Sequence, residues 1–100
     1  MKRIEITELL NNGSNYLGKT VNVKGWVRAF RSNRFIQMND GSCMGNIQAV
    51  IDFENIEESI LKRVTTGASI SVFGELVKSQ GSGQAFEVQA MELSVIGDAH

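Results

Sequence analysis

Apolar and polar side chains alternate along the first half of this chain, a pattern typical of β-strands that bury one face and expose the other. The first such strand is predicted over residues 20–30, with valines at the inward positions 21, 23 and 27. Trp26 and Arg28 then face solvent. Alternation around Phe35 and Gln48 predicts two more strands and turns both of these side chains outward as well. An aromatic ring, a cation and an amide are therefore expected on one solvent-facing wall.

Two further strands are predicted in the second half of the chain, over residues 69–78 and 86–95. The last strand changes its phase of alternation at Met91 and Glu92, which predicts a β-bulge there. Between the two strands, residues 79–83 are polar and rich in glycine, as expected of a hairpin loop.

Helical spacing of apolar residues is limited to two short segments. Residues 4–12 form the first, with Thr7 as its expected N-cap, and residues 55–66 form the second, with Asn55 as its expected cap. The order strand, strand, strand, helix, strand, strand is typical of an OB-fold. We therefore predict an all-β fold, a five-stranded OB-fold barrel with a short N-terminal helix and a helix between strands 3 and 4, as one domain over residues 1–100.

Composition is ordinary for a globular domain, with 42% hydrophobic and 21% charged residues. No segment resembles a membrane span or a secretory signal, so a cytoplasmic protein without membrane contact is expected. Cys43 is the single cysteine and His100 the single histidine, which leaves no set of ligands for a structural metal.

Charge is distributed unevenly along the chain, although the net charge is only −1. The segment from Leu9 to Asn39 contains no acidic residue. Five basic residues lie within it: Lys19, Lys24, Arg28, Arg31 and Arg34. A basic edge on an otherwise acidic body suits contact with a short segment of nucleic acid.

The outward set around Phe35 matches what unpaired bases need: a ring for stacking, a cation for phosphate, and an amide for a base edge. Each residue also has a simpler interpretation. Phe35 could belong to the core, Arg28 could pair with Glu87 across the sheet, and Glu87 is by default a surface residue. Trp26 is expected to pack over one end of the barrel and is not counted among the candidate site residues.

No arrangement of residues for catalysis is visible. The sequence has no histidine before its last residue, no nucleophile elbow and no glycine loop followed by a phosphate-binding lysine. The Asp40-Gly41 pair is interpreted first as a turn. The chain alone is therefore expected to bind and not to catalyse.

Several short motifs together resemble the N-terminal anticodon-binding domain of class II aminoacyl-tRNA synthetases for asparagine, aspartate and lysine. The motifs are Val23-Lys24-Gly25-Trp26-Val27-Arg28, Phe35-Ile36, Asn39-Asp40-Gly41-Ser42 and Asn46-Ile47-Gln48. Within that group the Asn-Asp-Gly-Ser turn followed by Asn-Ile-Gln is most similar to the asparaginyl enzymes. The similarity covers nearly the whole chain.

This resemblance implies roles for four residues. Phe35 matches a phenylalanine that stacks on the middle anticodon base, a uridine, and Gln48 matches a glutamine that hydrogen-bonds the edge of that base. Arg28 matches an arginine that holds the anticodon strand. Glu87 matches a glutamate that helps to read a neighbouring base.

Arg31 and Arg34 lie in a loop of variable length, and we infer from their charge that they contact phosphates. The resemblance further implies ATP and Mg²⁺ as cofactors of a catalytic domain that these 100 residues do not contain, and none for this domain. It implies a homodimeric full-length enzyme, formed through that catalytic domain, and a monomeric isolated domain. The partner implied for this domain is the tRNA anticodon loop.

Two rival functions remain open from the sequence. A stand-alone OB module would bind single-stranded nucleic acid without regard to its sequence. A protein-interaction OB domain would use Phe35 to dock a peptide. Selective binding to a stem-loop with a central uridine distinguishes the anticodon-binding interpretation from both.

Overall fold

The computed structural model describes residues 2–79 and 85–99. Their helices are α1 (Ile6–Asn12), a short 3-10 turn (Gly13–Asn15) and α2 (Glu58–Leu61). Their strands are β1 (Thr20–Arg31), β2 (Phe35–Asn39), β3 (Ile47–Ile51), β4 (Ser69–Lys78) and β5 (Phe86–Gly97).

The five strands close into a barrel in the order β1-β2-β3-β5-β4. Strands β3 and β5 are parallel, and the other neighbouring pairs are antiparallel. With α1 before the first strand and α2 between the third and fourth, this is the predicted OB-fold, and the sequence-based fold assignment is confirmed.

The inner wall of the barrel is aliphatic, as the alternation predicts. Its strand residues expose at most 1% of their surface: Val21, Val23, Val27, Ile36, Met38, Ile47, Ala49, Ile51, Ile70, Val72, Leu76, Val88 and Ala90. Helix α1 adds Ile6 and Leu9, both fully buried in the same cluster. Burial of so much apolar surface is the main force that closes the barrel.

Strand β1 changes partner along its length, because Trp26 pairs with β4 on one side and with β2 on the other. The register with β2 shifts between Val27 and Ala29, which makes Arg28 an inserted residue. The bulge lies here and not at Gly25, although a glycine inside a strand often marks a bend or bulge. Gly25 has a different reason to be glycine, since a Cβ there would come within 2.4 Å of the Asn39 carbonyl oxygen.

Strand β5 contains the bulge that the sequence predicts. Phe73 pairs with Glu92 and Gly74 with Ala90, so Met91 has no partner position on β4. The buried apolar side chains before and after the bulge, Val88, Ala90 and Leu93, therefore all point into the barrel. The hairpin loop predicted at residues 79–83 lies outside the described residues except for its first position.

Helix α1 begins later than predicted, at Ile6, and the assignment of Thr7 as N-cap is wrong. Its first amides are instead satisfied from the turn after β2. The Ile6 N–H donates to Asp40 Oδ2 and the Thr7 N–H donates to Ser42 Oγ, each at 3.0 Å. Because these side chains already serve the helix start, no local cap residue is needed.

Helix α2 lies between β3 and β4 as predicted, but it covers only Glu58–Leu61. Asn55 does not cap it. The Asn55 side chain donates instead to the carboxylate of Asp52 within the turn after β3. The expected helix over residues 55–66 is thus a turn followed by one helical turn. Ile56, before the helix, and Val64, after it, are both buried.

Candidate nucleic-acid interface

A row of three polar side chains crosses the outer wall of the barrel, one on each of β2, β3 and β5. Gln37 is the register partner of Gln48, and Gln48 is the register partner of Glu87. Gln37 Nε2 donates to Gln48 Oε1 at 2.8 Å, and Gln48 Nε2 donates to Glu87 Oε2 at 3.0 Å. We call these three residues the amide row. Its hydrogen bonds hold the Gln48 amide from both sides.

Glu87 is more buried than its outward position suggested, with only 9% of its surface exposed. A buried carboxylate needs hydrogen-bond donors, and Gln48 supplies one. The alternative pairing of Arg28 with Glu87 is wrong, since the two form no ion pair in the structure.

Phe35 lies at the edge of the same wall, next to the amide row. It is partly buried and pairs with Val50 on β3 and with Arg31 on β1. The guanidinium carbon of Arg34 lies 6.0 Å from the centroid of the Phe35 ring, at the limit of cation-π attraction. Phe35 is therefore neither a core residue nor an isolated surface ring.

A tight turn between β1 and β2 puts Arg34 beside that ring. Ser32 and Asn33 both have positive φ, 56° and 53°, and the Arg34 N–H closes the turn on the Arg31 carbonyl at 3.0 Å. Two consecutive left-handed residues match the twist of an antiparallel hairpin. Arg31 and Arg34, which were predicted to lie in a loop, flank this turn.

The bulge in β1 determines where the other arginines lie. Arg28 and Ala29 both fall on the outer side of the ladder beside Gln37, and the exposed Arg31 lies across from Phe35. All six residues predicted for the site thus share one wall and its adjoining turn: Arg28, Arg31, Arg34, Phe35, Gln48 and Glu87.

Gln37 belongs to this wall but was missed from the sequence. Its position between the buried residues Ile36 and Met38 was a sufficient signal, because alternation turns it outward. A glutamine in a strand carries no motif of its own, so the sequence alone does not mark Gln37 as a site residue.

The wall is bounded by two different surroundings. At one end, Trp26 packs on the turn after β2, where a Cβ on Gly41 would lie 3.4 Å from its ring, and 37% of the tryptophan stays exposed. In that turn, partial burial opposes ionisation of Asp40. Hydrogen bonds from the Ser42 side chain and from the Ile6 and Ser42 amides outweigh burial and lower the pKa of Asp40 below its ordinary value.

At the other end, a surface cavity of about 590 Å³ adjoins Phe35 through Arg34 and Val50. Asp52, Glu54 and Glu75 also line it. Three carboxylates make this cavity unfavourable for phosphate, so the basic part of the wall ends near Arg34.

Within residues 2–79 and 85–99, no three histidine, cysteine or acidic side chains come together as a metal site. Over the same part of the chain, no helix has the length and hydropathy to cross a membrane.

A family model described as an OB-fold nucleic acid binding domain, of the tRNA anticodon type, matches residues 21–96. The chain belongs to this family. The match runs from the start of β1 almost to the end of β5 and includes every residue of the amide row. Chains of this family are thus the appropriate comparison for the outer wall.

Curated relatives include the asparagine-tRNA ligases of Cytophaga hutchinsonii, 52% identical, and Parabacteroides distasonis, 48% identical, each over 99% of this chain. The chain spans 22% and 21% of the lengths of these two proteins. The sequence resemblance to the asparaginyl group is confirmed by these relatives.

Among solved structures, an asparaginyl-tRNA synthetase from Pyrococcus horikoshii matches 99% of this chain with a TM-score of 0.80 and 22% identity, over 23% of its own length. An OBody bound to hen egg-white lysozyme matches with a TM-score of 0.78 and 13% identity, over 98% of its own length. At these identities the matches establish the fold alone. In the OBody the same barrel makes up nearly a whole chain.

Proposed function

We propose that this chain, residues 1–100, is the anticodon-binding domain of an asparagine-tRNA ligase. Its outer wall binds the anticodon loop of tRNA and supports the ATP-dependent attachment of asparagine, which takes place elsewhere in the protein. The family match over residues 21–96 and the near-complete coverage by asparagine-tRNA ligases support this assignment. Such an enzyme works in the cytoplasm.

One observation carries the proposal: an aromatic ring and a held amide lie on neighbouring strands of one wall. Phe35 offers a ring face for an unpaired base, and Gln48 offers a donor and an acceptor at the adjacent strand. We propose that the middle anticodon base, a uridine, stacks on Phe35 and presents its edge to Gln48.

The charged residues then have separate roles. Arg28, Arg31 and Arg34 contact phosphates of the loop, because they are exposed around the ring and leave the bases accessible. Glu87 uses one carboxylate oxygen for Gln48, which leaves the other to accept from the amino group of a neighbouring base.

Catalysis belongs to the remaining part of the protein, in this proposal. ATP and Mg²⁺ would be bound there, and the homodimer would form there, while the domain alone is a monomer without a cofactor. Asparagine-dependent exchange between pyrophosphate and ATP, measured on the purified chain, should stay at background.

The test of the binding function compares two anticodon stem-loops that differ only in the middle base, uridine or cytidine. The chain should bind the uridine loop more tightly, and Gln48→Ala should narrow that difference because the amide that reads the base edge is gone. A chain that binds both loops equally would instead be a module indifferent to sequence. A chain that binds neither loop would favour a protein-interaction domain.

A further inference from the structure

We propose that Gln37 and Glu87 are positioning residues that fix the direction of the Gln48 amide, and that this direction makes the domain choose uridine over cytidine. The inference rests on the proposed function and deepens it. Gln48 touches the middle anticodon base, whereas Gln37 and Glu87 act on that base through Gln48.

The direction of the amide row is determined at its Glu87 end. A carboxylate accepts hydrogen bonds and donates none, so Gln48 has to turn its NH₂ group toward Glu87. The Gln48 oxygen then faces β2, where it needs a donor. Gln37 supplies one with its own NH₂ group at 2.8 Å. The reverse orientation would put the Gln48 oxygen against a buried carboxylate.

The row leaves one edge of the Gln48 amide for a ligand. A primary amide has two N–H groups and two oxygen lone pairs in one plane. The row uses one N–H toward β5 and one lone pair toward β2, on opposite sides of the group. The remaining N–H and lone pair lie next to each other at the tip of the side chain. They form a donor-acceptor pair that can bind two adjacent atoms of a base edge.

Uracil and cytosine differ in that edge and in almost nothing else. Uracil has a donor at N3 and an acceptor at O4, whereas cytosine has an acceptor at N3 and a donor at N4. The two patterns are mirror images. A base held in place by stacking on Phe35 therefore fits only one direction of the Gln48 amide. If the amide could rotate by half a turn, the same side chain would accept either pyrimidine.

A glutamate is buried beside the ligand-binding glutamine because its carboxylate sets the direction of the Gln48 amide. Glu87 has only 9% of its surface exposed, so rotation of Gln48 would leave its charge without this donor. Gln37 completes the arrangement from the opposite strand. The selectivity thus depends on side chains from three strands, β2, β3 and β5, whereas the middle anticodon base contacts only Gln48 on β3.

The decisive experiment exchanges the ends of the row. In the double variant Gln37→Glu with Glu87→Gln, the carboxylate lies on β2 and the amide donor on β5, so Gln48 should turn its NH₂ group the opposite way. Net charge and side-chain sizes stay the same. Binding of the 100-residue chain to the uridine and cytidine stem-loops is measured by fluorescence anisotropy, with thermal unfolding followed by circular dichroism to establish that each variant folds.

The wild-type chain should prefer the uridine loop by roughly tenfold or more in Kd, and the double variant should prefer the cytidine loop. Glu87→Gln alone removes the acceptor that fixes the direction of the Gln48 amide. The ratio of its Kd for the cytidine loop to its Kd for the uridine loop should therefore fall toward one. Gln37→Leu should also reduce the preference, because the Gln48 oxygen loses its donor. Gln89→Glu, on an exposed neighbouring position of β5, adds a charge without touching the row and should keep the wild-type preference.

A folded double variant that keeps the wild-type uridine preference would overturn the inference. If the double variant does not fold, the single variants Glu87→Gln and Gln37→Leu test the inference instead. A wild-type preference for uridine in both of them would overturn the inference. These failures differ from a failure of the proposed function, in which the wild-type chain itself would show no preference for uridine. A preference that reverses in the double variant supports both.

Discussion

The Asp40 carboxylate accepts a 3.0 Å hydrogen bond from the backbone amide of Ile6, a residue 34 positions earlier in the chain. Ser42 does the same for Thr7. The first amides of a helix have no partner within the helix, so the turn after β2 caps α1 from outside. This contact fixes the N-terminal helix to the end of the strand that carries Phe35 and Gln37.

Removing the Asp40 charge should therefore weaken the fold in a pH-dependent way. Because the pKa of Asp40 is lowered by folding from an ordinary value of 3.8, its contribution is present above that value and is lost as the pH falls through the folded pKa. Asp40→Asn should reduce the free energy of unfolding by about 1 kcal/mol near neutral pH, and by less at about pH 3.

Urea unfolding of both proteins at the two pH values measures this difference. Glu54→Gln makes the same change of charge on an exposed side chain in the turn after β3 and serves as the control. A difference between Asp40→Asn and wild type that is the same at both pH values would contradict the role of the ionised carboxylate.

Loss of the Phe35 ring should weaken binding to every anticodon loop by a similar factor. Stacking on one base contributes roughly 1 to 3 kcal/mol and depends little on which base it is. Phe35→Ala should therefore lower the affinity for the uridine and cytidine loops together and leave their ratio unchanged. Anisotropy titrations measure both affinities. An altered ratio with unchanged affinity for one loop would mean that the ring reads base identity.

Three exposed arginines around the ring predict a shallow dependence of binding on salt. Each phosphate contact on a single strand contributes roughly −0.7 to the slope of log affinity against log salt, so three contacts give about −2. Arg34→Gln should reduce the magnitude of the slope by about 0.7, which titrations over a range of KCl concentrations can resolve. A much steeper wild-type slope would require a larger basic surface than this wall.

Gly74 should be sensitive to the addition of a single methyl group. A Cβ at this position would lie 2.2 Å from the Gln89 carbonyl oxygen and 2.8 Å from a Val88 methyl carbon. Gly74→Ala should destabilise the barrel by roughly 1 to 3 kcal/mol or more in urea unfolding. Gly97→Ala is the matched control, since the nearest atom to its Cβ would be 3.9 Å away. Equal effects of both substitutions would rule out close packing as the cause.

The strands could be predicted from the sequence because each strand buries one face. Apolar and polar side chains therefore alternate along it with a period of two. Inward positions such as Ile36, Ala49 and Val88 follow from that period alone. The outward direction of Phe35 and Gln48 follows from the same rule. Their proximity to Glu87 does not, because it depends on β3 and β5 lying side by side.

The helices were less predictable for a physical reason. The start of α1 is determined by Asp40 and Ser42, which are distant from it in the sequence. Capping rules consider only residues next to the helix start, so they do not include these two side chains. In α2, Asn55 bonds to Asp52 in the preceding turn, and that local bond competes with a role as helix cap. The burial and the hydrogen bonds of Glu87 likewise arise only in the closed barrel.

Gln48 and Glu87 are 39 residues apart in the chain and meet through the parallel pairing of β3 with β5. The parallel contact joins residues that are far apart in the chain, so closing it costs more chain entropy than the β2–β3 hairpin does, and we expect it to form later in folding. A chain with only β1 to β3 formed would display Phe35 and Gln48, but its Gln48 would lack the Glu87 acceptor. If the proposed function is correct, such a partly folded domain would bind an unpaired base without selecting it, and only the closed barrel would distinguish uridine from cytidine.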